Sequence, residues 1–401
     1  MVIRELYLKR IRPFYHSELI KVITGVRRCG KSTVILQIMD ELKNTGINDE
    51  QIIYINFEDY KFHKLATADL LYEYLQQRIR KTHKTYLFID EIQNVKNFEL
   101  VINSFRATDD VSIFITGSNS KLLSGELASH LTGRTVEFIL RPFTFKEYYD
   151  FQIKKGNNKK SDTILEEYLE WGGFPLVAQE DDHNSKHVIL SNLFDSIVLK
   201  DIVLRNNVSS PQALLRVLDY IIANSSTTVS GNSIAKALSQ GGQDISAPTV
   251  YDYLKSISEA CVCDFVQRYD IRGKTILSYQ EKAYVCDLGF FKLRKNRVKD
   301  EFNYIIESLC YNELIARGYT VYIGKTHRGE VDFIAEKQET RKYFQVAYLL
   351  ESEQTIEREF NGFLGIDDSY PKYLISMDKL KLSRDGIVHI PLIDWLLSPE
   401  D

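Results

Sequence analysis

The chain has 401 residues, 44% of them hydrophobic and 26% charged, with a formal net charge of −4. That length exceeds one ordinary core and implies two or three domains of a soluble globular kind. No apolar stretch approaches the length of a membrane span and Met1-Val2-Ile3-Arg4-Glu5 does not read as a signal peptide, so a cytoplasmic protein is expected. The five cysteines are odd in number and scattered, which argues against a disulfide framework, and Cys261-x-Cys263 lacks the spacing of a zinc site and reads as buried thiols. The charge is uneven. Residues 1–160 carry 25 Lys and Arg against 19 Asp and Glu, whereas residues 300–401 carry 11 against 19, so a nucleic-acid partner would avoid the last part of the chain.

The basic opening up to Pro13 reads as a helix and linker. An apolar strand, Leu19 to Thr24, then runs into Gly25-Val26-Arg27-Arg28-Cys29-Gly30-Lys31-Ser32, which fits the phosphate-loop pattern G-x-x-x-x-G-K-[ST]. A helix follows from Thr33. Glycines let successive N–H groups and a helix N-terminus point at one spot, where the helix dipole favours phosphate oxygens. This makes residues 25–33 the ATP-binding segment, with Lys31 on the β- and γ-phosphates and the Ser32 hydroxyl on Mg2+. Cys29 lies inside the loop and is open to oxidation.

Further strands are expected at Ile52–Phe57, Tyr86–Ile89, Ser112–Ser118 and Thr135–Leu140, with helices at Leu70–Ile79, Phe98–Phe105 and Lys121–His130. Strands alternating with helices imply a parallel sheet covered on both faces, with nucleotide at the carboxyl ends of its strands. The third strand ends in Asp90-Glu91, placing one acid for the Mg2+ shell and a second to polarise water. Asn56 could restrain Glu91, Ser118 or Asn119 could reach the attacking water or γ-phosphate, and Arg134 could stabilise transition-state charge in a neighbouring subunit of a homo-oligomer. For each of these the plain alternative is a strand-end residue satisfying loop backbone groups.

The phosphate loop, Phe88-Ile89-Asp90-Glu91-Ile92-Gln93, Thr116-Gly117-Ser118-Asn119-Ser120, Leu131-Thr132-Gly133-Arg134 and Arg141-Pro142-Phe143-Thr144-Phe145, in that order, resemble the AAA+-type ATPases of AAA family 14 from bacteria and archaea. The resemblance implies an AAA+-like P-loop core, a helical lid and a C-terminal domain of unknown function (4143). By the same likeness Trp171-Gly172-Gly173-Phe174-Pro175-Leu176 resembles the glycine-x-proline segment that closes over adenine in signalling-type relatives, which implies a nucleotide contact for Pro175.

Residues 154–162 are polar and loop-like, and helical periodicity resumes at Ile164–Leu169 and Val188–Leu204. Between 211 and 299, three short helices and two strands around Asp270-Ile271-Arg272-Gly273 read as a winged helix-turn-helix. Its third helix with Arg268, Arg272 and Lys274 offers a DNA-contact surface, and internal packing is the competing role. Beyond residue 300, a helix bearing Glu307 and Glu313 precedes strands carrying Asp332 and Gln345. This resembles a PD-(D/E)xK nuclease fold with a degenerate site, because Gln345 stands where an acid is expected and Ala347 where a lysine is. Lys342 is the candidate to substitute for that lysine.

The expected organisation is α/β: P-loop ATPase core 1–153, helical lid 154–210, winged helix 211–299 and nuclease-like domain 300–401. The expected function is Mg2+-dependent ATP hydrolysis coupled to conformational change or to DNA or partner binding. The alternatives are an ATP-controlled DNA-processing nuclease and a slow nucleotide switch that gates a partner.

Overall fold

The computed structural model describes residues 2–80, 82–108, 110–119, 133–241, 245–294, 302–327, 329–380 and 382–398. The helix expected over 121–130, together with Leu131 and Thr132, lies outside them. The chain divides into two compact units, residues 1–140 with 259–261, and residues 141–258 with 262–401.

In the first unit five apolar runs form strands: β1 Ile20–Thr24, β2 Ile52–Asn56, β3 Thr85–Asp90, β4 Val111–Gly117 and β5 Thr135–Ile139. All pair in parallel, in the order β2-β3-β4-β1-β5. β1, β3 and β4 are buried at every position, as strands sandwiched between helices must be. The helices are α1 Glu5–Ile11, α2 Lys31–Asn44, α3 Ala68–Gln76 and α4 Phe98–Thr108. Leu71 and Leu75 of α3 and Phe98, Val101, Ile102 and Phe105 of α4 recur at helical spacing, and that stripe closes one core against Ile20, Val22, Ile55, Leu87 and Ile113. Because β4 lies between β3 and β1, the carboxyl ends of these three strands are neighbours, and the loops leaving them share one edge of the sheet.

Lys21 is the anomaly of this core. It is fully buried in β1, where its ammonium donates to Ser112 Oγ at 2.7 Å and to the Ser17 carbonyl at 3.1 Å and stands 4.4 Å from the Phe114 ring centroid. Burial, with a smaller contribution from the Lys84 charge, pushes its pKa down to about 7. The unfolded chain therefore holds this proton up to about pH 10.4, whereas the folded chain releases it near 7. Folding is penalised most below pH 7, and stability should rise between about pH 7 and 10 by up to ~1.4 kcal/mol per pH unit. Lys21→Met should flatten that rise and stabilise the chain at pH 6.5. Urea midpoints at pH 6.5 and 9 check this, and an unchanged slope in the variant would refute it.

The second unit begins with helices α5 Phe145–Lys154, α6 Ser161–Trp171, α7 Pro175–Gln179 and α8 His183–Ser196, the last continuing as a π-helix over Ile197–Leu204. Thr144 and Glu147 form a reciprocal capping box that starts α5, a Thr-x-x-Glu signal in the sequence. Helices α9 Pro211–Ala223, α10 Gly231–Gln240 and α11 Ala247–Glu259 follow, then α12 Gly289–Arg294, α13 Phe302–Ala316, α14 Glu353–Asn361 and α15 Leu392–Leu397. The strands β6 Thr228–Val229, β7 Cys263–Asp270, β8 Thr275–Val285, β9 Thr320–Lys325, β10 Glu330–Lys337, β11 Thr340–Val346, β12 Lys372–Ser376 and β13 Ile387–Pro391 form one sheet in the order β13-β12-β11-β10-β9-β7-β8-β6.

The β7–β8 hairpin, expected as a wing, is thus built into a larger sheet. β7 pairs in parallel with β9 through Arg268–Ile323, Tyr269–Gly324 and Asp270–Lys325. Arg268 is engaged by Glu330 at 2.9 Å, Thr228 Oγ1 at 3.0 Å and the Gln280 carbonyl at 3.0 Å, which removes it as a free DNA contact. Arg272 and Lys274 remain exposed at the turn.

Candidate functional site

The loop from Gly25 to Lys31 joins β1 to α2 at the shared edge of the parallel sheet. Gly25 takes φ 149°, and a Cβ there would lie 2.2 Å from the Leu140 carbonyl oxygen, so no other residue fits without moving β5's extension. Arg28 at φ 65° and Gly30 at φ 110° turn the chain into the first turn of α2. Val26 and Cys29 anchor the loop inward, Arg27 pairs with Glu58 at 3.2 Å, and Ser32 and Thr33 are half-buried on the first turn. The five cysteines are free and buried; burial raises the Cys29 thiol, so it is not the reactive thiolate its place in the loop suggested.

Lys31 points back over the loop. Its ammonium donates to the Gly25 carbonyl at 3.0 Å and the Val26 carbonyl at 3.2 Å and stands 3.8 Å from Glu91 Oε1. Burial acts to lower its pKa, but the negative groups around it, Glu91 and Asp90 among them, outweigh burial and hold it above the usual lysine range.

Asp90 ends β3 with no exposed surface. It accepts hydrogen bonds from the hydroxyls of Thr116 and, at 3.3 Å, Tyr54. Burial raises its pKa, opposed by the nearby Ser32 and Thr116 hydroxyls. Glu91 takes a left-handed backbone conformation (φ 56°, ψ 48°); its N–H donates to Thr116 Oγ1 at 3.0 Å, and its carboxylate accepts from Gln93 Nε2. Asn56, expected to restrain Glu91, instead accepts the Glu58 N–H at 2.8 Å and closes its own turn. A short polar side chain at a strand end finds its own backbone first.

Ser118 and Asn119 are buried at the carboxyl end of β4, beside β3 and β1. Arg134 lies at the other end of the sheet: its carbonyl accepts the Ile20 N–H at the start of β1, and its exposed guanidinium donates to Asn103 Oδ1 at 2.8 Å. It is therefore remote from Lys31 of its own chain.

Three positioning contacts escaped the sequence. Thr116 and Gln93 sit within recognisable motifs, but which acid Thr116 holds depends on the register of β3 against β4, and Gln93 reaches Glu91 through the left-handed turn at 91. Arg4 is 1% exposed and donates from Nη1 to the Cys29 carbonyl at 2.9 Å, while its own N–H is accepted by Gln37 of α2. Nothing in a basic N-terminus singles that arginine out.

In the second unit, Pro175 opens α7 as its first residue. The preceding glycines are explained by Asp287, whose carboxylate accepts N–H groups of Gly173 at 2.7 Å and Gly289 at 2.9 Å; a Cβ on Gly172 would lie 1.8 Å from it. Of the two helix acids considered, Glu313 pairs with Arg317 at 2.8 Å, while Glu307 stands with Asp332. Gln345 joins them: its Oε1 accepts the Asp332 N–H at 3.3 Å and its Nε2 donates to Glu359 at 2.9 Å. Lys342 is three residues from Gln345 and so on the opposite face of β11, with its ammonium 5.7 Å from the Tyr319 ring centroid. It does not substitute for the lysine missing at Ala347.

A family model described as an AAA domain matches residues 17–149. A second, a domain of unknown function (DUF8612), matches residues 162–299 and differs from the family expected at the C-terminus. An uncharacterized protein of Haemophilus influenzae is 37% identical over 402 residues, covering 99% of each chain. The uncharacterized protein MJ1544 of Methanocaldococcus jannaschii is 34% identical over 359 residues, covering 86% of this chain and 78% of that one. Among solved structures, a Walker-type ATPase of Pyrococcus abyssi superposes with a TM-score of 0.53 at 16% identity, covering 74% of this chain and 96% of that one, which is a likeness of fold. No helix among the described residues is long and apolar enough to cross a membrane.

Proposed function

Because the chain belongs to one family with these Haemophilus and Methanocaldococcus proteins and carries an AAA-type ATPase domain over residues 17–149, we propose that it binds ATP with Mg2+ and hydrolyses it to drive a conformational change. The observation that carries this reading is Asp90 at the end of β3, hydrogen-bonded by Thr116 of β4 and acted on by the Ser32 hydroxyl of α2, with Lys31 and Glu91 3.8 Å apart beside it. That donor set, a hydroxyl and a carboxylate of hard oxygens, suits Mg2+, and the loop that opens α2 suits phosphate. Ser32 and Asp90 would hold the metal, which supplies charge neutralisation on the polyphosphate.

The protein's own groups divide the remaining work. N–H groups of the 25–33 segment and the Lys31 ammonium bind the phosphates. Glu91, restrained by Gln93, orients and deprotonates the attacking water, and Ser118 with Asn119 completes the polar rim. Thr116 keeps Asp90 aimed at the Ser32 hydroxyl. Calorimetric titration of the full chain with ATP and Mg2+, followed by a phosphate-release assay, tests the reading; absence of binding would reject it.

Arg134 faces away from its own loop, which favours a role on the nucleotide of a neighbouring copy. Arg134→Ala and Lys31→Ala chains, each inactive alone, should regain part of the turnover when mixed, because one kind of interface would unite an intact Lys31 with an intact Arg134. A mixture no more active than its components would confine Arg134 to a structural role within its own chain, the Asn103 contact included.

A further inference from the structure

In the second unit, β8, β10 and α13 bring three carboxylates onto one ammonium. Lys282 Nζ lies 2.6 Å from Glu330 Oε1, 3.0 Å from Glu307 Oε1 and 4.0 Å from Asp332 Oδ1. Lys282, Glu307 and Asp332 are each more than nine-tenths buried. The outer oxygen of Glu330 receives Arg268 at 2.9 Å, and Tyr284 donates to Glu307 Oε1 at 2.6 Å. The second oxygen of Asp332 accepts the Val346 N–H at 2.9 Å. No carboxylate of the three is left to one weak contact.

Bringing three acids out of water is costly, and burial does raise the pKa of Glu307 and of Asp332. A cation among them offsets that cost. A divalent ion would do so through oxygens at about 2.0–2.6 Å, and an ammonium does so through its three N–H donors. Burial alone would lower Lys282, yet Glu307, Asp332 and Glu330 together hold it above the usual lysine range. Gln345 fits the same scheme: a neutral amide beside Asp332 adds a hydrogen bond without adding a fourth charge to one compact cation.

We propose that Lys282 is a built-in cation that takes the place of a divalent metal among Glu307, Glu330 and Asp332, so that this cluster binds no metal and instead fastens the β7–β8 hairpin to β10 and α13. The parallel pairing of β7 with β9 and the Arg268–Glu330 bridge fasten the same hairpin at neighbouring points. Ser226, outside the hairpin, bridges it to α13: its N–H donates to the Ala283 carbonyl of β8 at 2.7 Å and its hydroxyl meets Ser308 Oγ of α13 at 2.9 Å. Divalent-metal cleavage chemistry at Asp332 is thereby displaced by a side chain of the same protein.

The test follows free Mn2+ by electron paramagnetic resonance during titration of the full-length chain without nucleotide, which separates its outcome from that of the ATP reading. Wild type and Asp332→Asn should bind Mn2+ alike. Lys282→Met should melt at a lower temperature and gain one Mn2+ site at least ~10-fold tighter than any in wild type, and Lys282→Met/Asp332→Asn should lose it. A Mn2+ site in wild type that Asp332→Asn abolishes, Mn2+-dependent DNA nicking that Asp332→Asn abolishes, or a folded Lys282→Met chain with no added site would each overturn the proposal. The comparison of wild type with Asp332→Asn needs no change at 282 and decides the matter even where Lys282→Met does not fold.

Discussion

Replacing Lys31 with alanine should remove measurable binding of ATP with Mg2+, a loss of at least ~100-fold in affinity. Lys31 is 4% exposed and its ammonium is held by two neutral carbonyls, Gly25 at 3.0 Å and Val26 at 3.2 Å, which it can exchange for phosphate oxygens by small rotations of its side chain. Charge-assisted hydrogen bonds contribute about 1.5–3 kcal/mol each, so losing two costs about 3–6 kcal/mol, or roughly 10²- to 10⁴-fold. The deletion also leaves Asp90 and Glu91 facing a polyanion without the cation between them, which adds repulsion. Calorimetry on wild type and variant at equal Mg2+ measures the loss, with a melting curve to establish that the variant is folded. An affinity within ~3-fold of wild type would remove Lys31 from the phosphate site.

The second large effect belongs to Glu91. Glu91→Gln should bind ATP with Mg2+ as tightly as wild type yet hydrolyse it about 10²- to 10⁴-fold more slowly, the usual range for a lost general base. Glutamine keeps the size of the side chain and can adopt the left-handed backbone conformation held here by the Thr116 hydroxyl, so the loop should not rearrange. What it removes is the proton acceptor 3.8 Å from Lys31. Binding and single-turnover rates measured on the same sample distinguish the two steps. Wild-type turnover in Glu91→Gln would place the base elsewhere, whereas a parallel loss of binding would make Glu91 a ligand rather than a base.

The parts of the molecule readable in advance are those encoded over short stretches. β1, the 25–32 loop and α2 are continuous in sequence, and the glycines announce a turn that Leu140 makes obligatory. The central strands β1, β3 and β4 stand out because strands buried on both faces are mostly apolar, and Asp90-Glu91 stands out because two acids end such a run.

Short-range signals suffice for the strands of the parallel sheet, the glycine-rich loop and the two acids, since backbone propensity and hydrophobic periodicity act over a few residues. Tertiary structure alone decided which side chains meet: Arg4 on Cys29 across 25 positions, Asp287 on Gly173 across 114, and Lys282 among Glu307, Glu330 and Asp332. It also decided that β7 joins β9 in one sheet, so that a hairpin with the look of a surface wing became an internal strut. The reason is physical. Charge pairing and parallel strand addition depend on closing long loops, and the free energy that closes them comes from the whole core rather than from the residues that end up in contact.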